Sequence, residues 1–286
     1  ENHRQQIIAE LQSERRFGPY EVEIGRADGS TYPAIVRGMR ISNPSGQPLI
    51  WTLIEDISER KKVDRMKSEF ISTVSHELRT PLTSISGSLS LVESGTLGTL
   101  PSQAERMVSI AHRNAEQLKQ LVDDLLDMEK LVSGKMTMNL RIQELGPVIE
   151  ESAERLKTYA LESGVSVQIK DTSPNCMAKI DRSRLGQAFT NLLSNAIKFS
   201  PPEGEVLVCT EVEHDLVRIL VTDQGPGIPD NFRGRIFQKF AQADSSDTRG
   251  KRGTGLGLAI TKEIMTQMGG DVGFESREGR GSTFWL

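Results

Sequence analysis

A histidine followed at once by a carboxylate marks the stretch Ser75-His76-Glu77-Leu78-Arg79-Thr80-Pro81. An imidazole whose Nδ1–H is held by a carboxylate presents a nucleophilic Nε2. With Phe70 set at 0° and about 100° per helical residue, the apolar centre falls near 30° and His76 near 240°. The ring thus lies about 150° from the apolar face, beside Glu69 and Thr80. A surface histidine is ordinarily incidental. The adjacent acid, and a proline able to bend the helix, set this one apart. His3 is terminal, His112 has no acid at the next position and His214 falls in a hairpin turn, so none of the three is assigned chemistry.

Three later segments carry groups suited to a nucleotide. Within Asn191-Leu192-Leu193-Ser194-Asn195-Ala196-Ile197-Lys198, Asn191, Asn195 and Lys198 share one polar helix face, at about 240°, 280° and 220° from Leu185. Amide oxygens suit a hard cation such as Mg²⁺, and a lysine suits phosphate. Asp223-Gln224-Gly225-Pro226-Gly227 follows the apolar run Leu216 to Val221, and a carboxylate at a strand end can accept a base amino group. Gly253-Thr254-Gly255-Leu256-Gly257-Leu258 opens a helix, where glycines let backbone N–H groups approach phosphates. It lacks the Gly-Lys-Ser/Thr ending of a Walker A loop, and no strand directly precedes it as in a dinucleotide fingerprint. Taken singly, each segment has an ordinary reading as a solvated face, a surface turn or a loop. Ala241 to Arg252, polar and glycine-bearing, is a candidate mobile lid between the second and third.

These groups need elements to position them. Residues 20–55 alternate as a three-stranded meander behind a helix at about 2–16, with turns at Asp28-Gly29 and Asn43-Pro44-Ser45-Gly46. So few strands bury little core, so half a domain is expected to be missing or a partner to cover it. At Asp56-Ile57-Ser58 the period lengthens to about 3.6, with Asp56 or Ser58 as N-cap. Val63, Met66, Phe70, Val74 and Leu78 then share a face, a kink is expected at Pro81, and Ser94 to Gly98 forms a loop. Ala104, Val108, Ala111, Ala115, Leu118, Val122 and Leu125 follow as a heptad seam. Two such helices make a hairpin, and a seam so narrow is usually half of a dimeric four-helix bundle. Beyond Gly134, helices are predicted at 146–162, 182–199, 229–237 and 255–268. Strands are predicted at 138–144, 165–170, 177–181, 205–213, 216–223, 271–276 and 281–286. The expected fold class is therefore multidomain α and α+β: a meander, a helical hairpin, then an α/β sandwich with one helical layer on a mainly antiparallel sheet.

Composition bounds the function. A chain of 286 residues suggests about two domains. A net charge of −4 argues against a nucleic-acid partner. No apolar run approaches the roughly 18 residues of a membrane helix. Cys176 and Cys209 form no C-x-x-C pair and read as reduced thiols in a cytoplasmic protein. Of 25 glycines, twelve fall from Asp223 onward, so the need for close backbone approach is local to the nucleotide segments. The chain starts without Met and ends in an apolar run, so a fragment of a longer protein is expected.

In order along the chain, the motifs resemble those of the sensor histidine kinases of two-component signalling. His76 to Pro81 is similar to the phosphoacceptor box, Asn191 to Lys198 to the asparagine box, and Asp223 to Gly227 and Gly253 to Leu258 to the two glycine boxes. Phe237-Gln238-Lys239-Phe240 is similar to the phenylalanine box, and Gly279-Arg280-Gly281-Ser282-Thr283-Phe284 to the last glycine motif. The resemblance covers residues 60–286. Asp56 to Lys61 resembles the exit of a PAS domain. The resemblance implies ATP and Mg²⁺ as cofactors, with Asp223 on the adenine amino group, Asn195 on Mg²⁺, and Asn191 and Lys198 supporting the phosphates. Gly225, Gly227, Phe240, Gly253, Thr254, Gly255, Leu256, Gly257, Ser282 and Thr283 would complete the nucleotide site. It further implies attack of His76 on the γ-phosphate with Glu77 orienting and deprotonating the ring, and transfer to an aspartate of a response regulator. Thr80 would serve a regulator phosphatase activity, and the hairpin would form a homodimer. Residues 1–56 would be a partial PAS-like sensor segment, 57–136 the signalling helix and phosphotransfer hairpin, and 137–286 the ATP-binding domain. The alternatives are an ATPase of the gyrase- or Hsp90-like fold without histidine transfer, and a nucleotide-binding scaffold.

Overall fold

The computed structural model describes residues 2–132, 136–170, 176–214, 216–242 and 254–286, with the side chains of 2–6 and 132 excepted. The chain divides into two compact units, Glu1–Thr73 and Val74–Leu286.

In the first unit, α1 (Asn2–Ser13) leads into an antiparallel meander of β1 (Arg16–Gly25), β2 (Thr31–Ser42) and β3 (Pro48–Asp56). The turns form where expected, with Gly29 and Gly46 at positive φ. Phe17 is buried against Gly38, where a side chain on β2 would collide with its ring. All nine residues of β3 are exposed, Trp51 and Ile50 among them. Asp56 accepts from the Ser58 backbone N–H at 2.8 Å, and Ile57 is buried, which fixes the start of α2 (Ser58–Glu93).

α2 runs on through Pro81 as one 36-residue helix. Pro81 removes the donor that would reach the Glu77 carbonyl, while Thr80 and Thr83 hydroxyls donate to the His76 and Arg79 carbonyls one turn back. α3 (Ser102–Val132) returns antiparallel, as the cross-helix pairs show: Arg79 with Asp123, Ser86 with Glu116, Glu93 with His112. On α2 the residues buried within the chain are Ser75, Leu82 and Ser86. On the scale used above they lie at about 120–160°, well away from the apolar centre near 30°. Phe70, Val74 and Leu78 on that apolar face are 68%, 37% and 43% exposed.

The rest of the second unit is an α/β sandwich. Its sheet has the order β5 (Ser166–Ile169), β7 (Glu205–Glu213), β8 (Leu216–Asp223), β10 (Ser282–Trp285), β9 (Gly273–Ser276). β5 and β7 are parallel and the remaining pairs antiparallel. β4 (Arg141–Glu144) and β6 (Met177–Ile180) form a separate two-stranded pair. α4 (Gly146–Glu162), α5 (Arg182–Phe199) and α7 (Gly257–Met268) pack side by side, with α5 central, while α6 (Asp230–Arg233) is shorter than predicted. α5 starts cleanly because the Asp181 carboxylate accepts from Ser183 and Arg184 N–H. Its buried stripe, Leu185, Ala188, Phe189, Leu192, Leu193, Ala196 and Ile197, meets Val206 and Val208 on β7 and Ile260 and Ile264 on α7. Met128 and Leu131, from the end of α3, belong to the same core. Among the described residues no helix is long and apolar enough to cross a membrane.

Candidate functional site

One half of the nucleotide constellation gathers at the end of β8. Asp223 is 7% exposed, and its Oδ1 accepts from Gly225 N–H at 2.8 Å. Burial pushes its carboxyl above the usual range, opposed by the backbone N–H groups of Gly225 and Ser282. Gly225 must lack a side chain, since a Cβ would come within 2.9 Å of the Phe199 carbonyl oxygen. That approach brings the first glycine turn against the end of α5. Gly227, at φ +73°, lies hard against the Arg277 carbonyl, and Gly279 N–H donates to Pro226 O at 2.7 Å. Ser282 stands opposite Asp223 on one side and Ser276 on the other. Its hydroxyl pairs with that of Ser276, and Thr283 pairs with Thr222, both at 3.0 Å. Strand register therefore delivers the last glycine motif to the first.

The other half lies where α5 meets the start of α7. Asn191 donates to Gly257 O at 3.2 Å, so its amide nitrogen ties the two helices together. Asn195 and Lys198 follow on the same half-buried polar face. The Asn195 side chain makes no hydrogen bond among the described residues, and Lys198 Nζ sits 5.0 Å from the Phe199 ring centroid. Leu256, at the N-cap of α7, is 1% exposed and supplies no side-chain cap to the first turn among the described residues, while its own N–H donates to Thr254 Oγ1 at 3.1 Å. Gly255, at φ +72°, packs on Phe240, whose own φ is +60° and whose N–H donates to Gly255 O at 2.9 Å. That bond holds the phenylalanine segment to the second glycine box. Gly253, and all of the candidate lid beyond Gln242, lie outside the described residues.

The histidine segment stands on the hairpin. His76, Glu77 and Thr80 are exposed on α2. Consecutive helix residues point about 100° apart, and no hydrogen bond joins the His76 ring to Glu77 among the described residues. Arg79 donates from Nε to Asp123 Oδ1 at 2.9 Å, tying this turn to α3. None of the described contacts of His76 reaches the nucleotide group.

α3 supplies contacts that sequence reasoning did not anticipate. Asp124 Oδ2 accepts from Thr254 Oγ1 at 2.9 Å, and Asp127 Oδ2 accepts from Gln187 Nε2 at 2.7 Å. A signal was present: Met128 and Leu131 fall off the heptad seam and give α3 a second buried face, with Asp124 lying between them around the helix.

Comparison with known proteins agrees with this architecture. Residues 66–134 match the His Kinase A (phospho-acceptor) domain, and residues 180–286 match the Histidine kinase-, DNA gyrase B-, and HSP90-like ATPase. The chain belongs to the sensor histidine kinase family. It is 35% identical over 239 residues to the circadian input-output histidine kinase CikA of Synechococcus elongatus, covering 82% of this chain and 32% of that protein. It is 37% identical over 231 residues to the signal transduction histidine-protein kinase BarA of Escherichia coli, covering 78% of this chain and 24% of that one. The chain thus spans a third or less of the length of these relatives. Among solved structures, full-length ShkA in complex with AMPPNP superposes with a TM-score of 0.60 at 32% identity, over 76% of this chain and 44% of that one. The helical hairpin followed by an α/β ATPase domain is the fold expected from sequence.

Proposed function

We propose that this chain phosphorylates itself on His76 from Mg-ATP and passes the phosphoryl group to an aspartate of a response regulator. The observation that carries the reading is the N-terminus of α7, where among the described residues the N-cap Leu256 supplies no side-chain cap, together with the buried Asp223 and an exposed imidazole in the same folded unit. Helix N-terminal N–H groups and the positive end of the dipole favour phosphate. Asp223 would accept the adenine amino group, and Gly225, Gly227, Ser282 and Thr283 would shape that pocket. Lys198 would meet the phosphates, and Asn191 would hold Gly257 and the glycine turn beneath them.

The amide oxygen of Asn195, on the polar face of α5 and without a hydrogen-bond donor among the described residues, fits a hard cation that prefers oxygen ligands. Bound there, Mg²⁺ would neutralise charge on the phosphate oxygens. His76 Nε2 would donate its lone pair to the γ-phosphorus as the bond to the β,γ-bridging oxygen breaks, and ADP would leave. Glu77, after a side-chain rotation, would take the Nδ1 proton. Catalysis is then mostly positioning and charge stabilisation. Thr80, one turn on, would serve dephosphorylation of the regulator.

The uncovered apolar face of α2 supports a homodimer through the hairpin. Residues 1–56 are assigned as a partial PAS-like sensor segment, 57–136 as the signalling and phosphotransfer helices and 137–286 as the ATP-binding domain, in a cytoplasmic location. Incubation with γ-labelled ATP and Mg²⁺ tests the reading. Acid-labile, alkali-stable label that is lost in His76→Gln is expected. Phosphate release without label would favour the gyrase-like ATPase instead.

A further inference from the structure

One helical turn of α3 carries three carboxylates, each bound to a different segment. Asp123 holds Arg79 of the histidine box, and Asp127 holds Gln187 and Arg184 of α5, the latter at 3.5 Å. Asp124 differs from both. It is 6% exposed, it accepts from neutral groups, Gln120 Nε2 at 2.7 Å and Thr254 Oγ1 at 2.9 Å, and it has no cationic partner among the described residues. Burial, with Asp127 and Asp123 adding, pushes its carboxyl above the usual range, the two hydrogen bonds opposing.

Thr254 connects this carboxylate to the nucleotide site. Its hydroxyl donates to Asp124 and accepts from Leu256 N–H at 3.1 Å. A hydroxyl whose proton is committed to a carboxylate is a stronger acceptor, so the chain Leu256 N–H to Thr254 to Asp124 is mutually reinforcing. It occupies a backbone donor at the mouth of α7 and brings negative charge to that end of the helix. We propose that Asp124 is a positioning residue that competes with the nucleotide's phosphates: it holds Thr254 and the entry of α7 against α3, and phosphate binding displaces that contact. Polyphosphate and a buried, uncompensated carboxylate repel each other and draw on the same donors. Linkage makes the effect reciprocal, so nucleotide loosens the second glycine box from α3 as much as Asp124 weakens nucleotide binding. The proposal rests on the reading above that α7 receives phosphates.

Titration of the whole chain with AMPPNP and Mg²⁺ by calorimetry tests it. Asp124→Asn keeps the shape and an acceptor for Thr254 but removes the charge. Its Kd is expected to fall at least about fivefold, and that gain is expected to vanish in a Thr254→Val background. A purely structural Asp124 would leave Kd unchanged or weaken binding. Either result overturns the proposal, as does an equal gain in both backgrounds. Should Asp124→Asn fail to fold, amide exchange in the unaltered chain decides: exchange across 120–128 is expected to rise on adding AMPPNP, and no change or a fall overturns the proposal. An unaltered chain that binds no AMPPNP overturns the phosphate reading of α7 and this proposal with it. Binding that Asp124→Asn does not alter overturns this proposal alone.

Discussion

Asp223 is a carboxyl whose folded environment works against its charge, because burial outweighs the N–H groups of Gly225 and Ser282. The folded state therefore holds the proton more tightly than the unfolded chain does. Stability then falls as pH rises from the ordinary carboxyl value of 3.8 to the higher folded one, and is flat beyond it. Asp223→Asn should accordingly melt higher than the unaltered chain at neutral pH, with the gap closing as pH is lowered toward the unfolded value. Calorimetric melting across that range checks it; a gap independent of pH would sink the idea. The same substitution should weaken AMPPNP binding about tenfold or more, because an amide that keeps its oxygen on Gly225 N–H turns its own NH₂ toward the adenine amino group. At this scale the sequence was informative where residue type alone limits the chemistry. A carboxylate before Gly-Pro-Gly, and glycines that carbonyls crowd at 225 and 227, were legible without coordinates. The contact between Thr254 and Asp124 was not, because it joins residues 130 positions apart and neither type announces the other.

α5 shows why an element can be read well. Its period gave both the buried stripe and the polar face, and its first residue follows an acid that caps it. Asp181 also accepts from Asn139 N–H at 2.9 Å, so it fastens the segment ahead of β4 as well as the helix. Asp181→Ala should cost about 1–2 kcal/mol, measured by urea unfolding; a loss within about 0.5 kcal/mol, as at ordinary surface positions, would contradict that role. α2 was harder to read. The strongest apolar stripe on a helix need not be the face its own chain covers, and here the covered line runs through Ser75, Leu82 and Ser86. Two small polar residues on that line let α3 approach, and Ser86 hydrogen-bonds Glu116 there. Hydrophobic periodicity cannot find such a contact. α6 fell short for another reason: Gly234 ends it, and turns take over to Phe240.

For the whole molecule, the consequence of those exposed stripes is association. Met107, Ile110 and Leu118 on α3 are 67%, 52% and 44% exposed, as are Phe70 and Leu78 on α2 to similar degrees. Leu118→Glu should leave the fold of a single chain within about 0.5 kcal/mol yet convert the species seen in sedimentation equilibrium from dimer to monomer. A variant that still sediments as a dimer would place the interface elsewhere. The core has a different kind of reach. Met128 and Leu131 lie at 6% and 2% exposure among the residues that pack α4, α5 and α7 on the sheet, although they are the closing turns of the hairpin. Hairpin and nucleotide-binding half are therefore not interchangeable parts that meet at residue 137. A hybrid spliced there would set two side chains of one protein into sockets shaped by another, with the cavities or overpacking that follow. The seam along which a foreign catalytic half can be exchanged runs ahead of Val122, before α3 begins to be buried on both faces, so the final turns of the helix must travel with the sheet they help to fill.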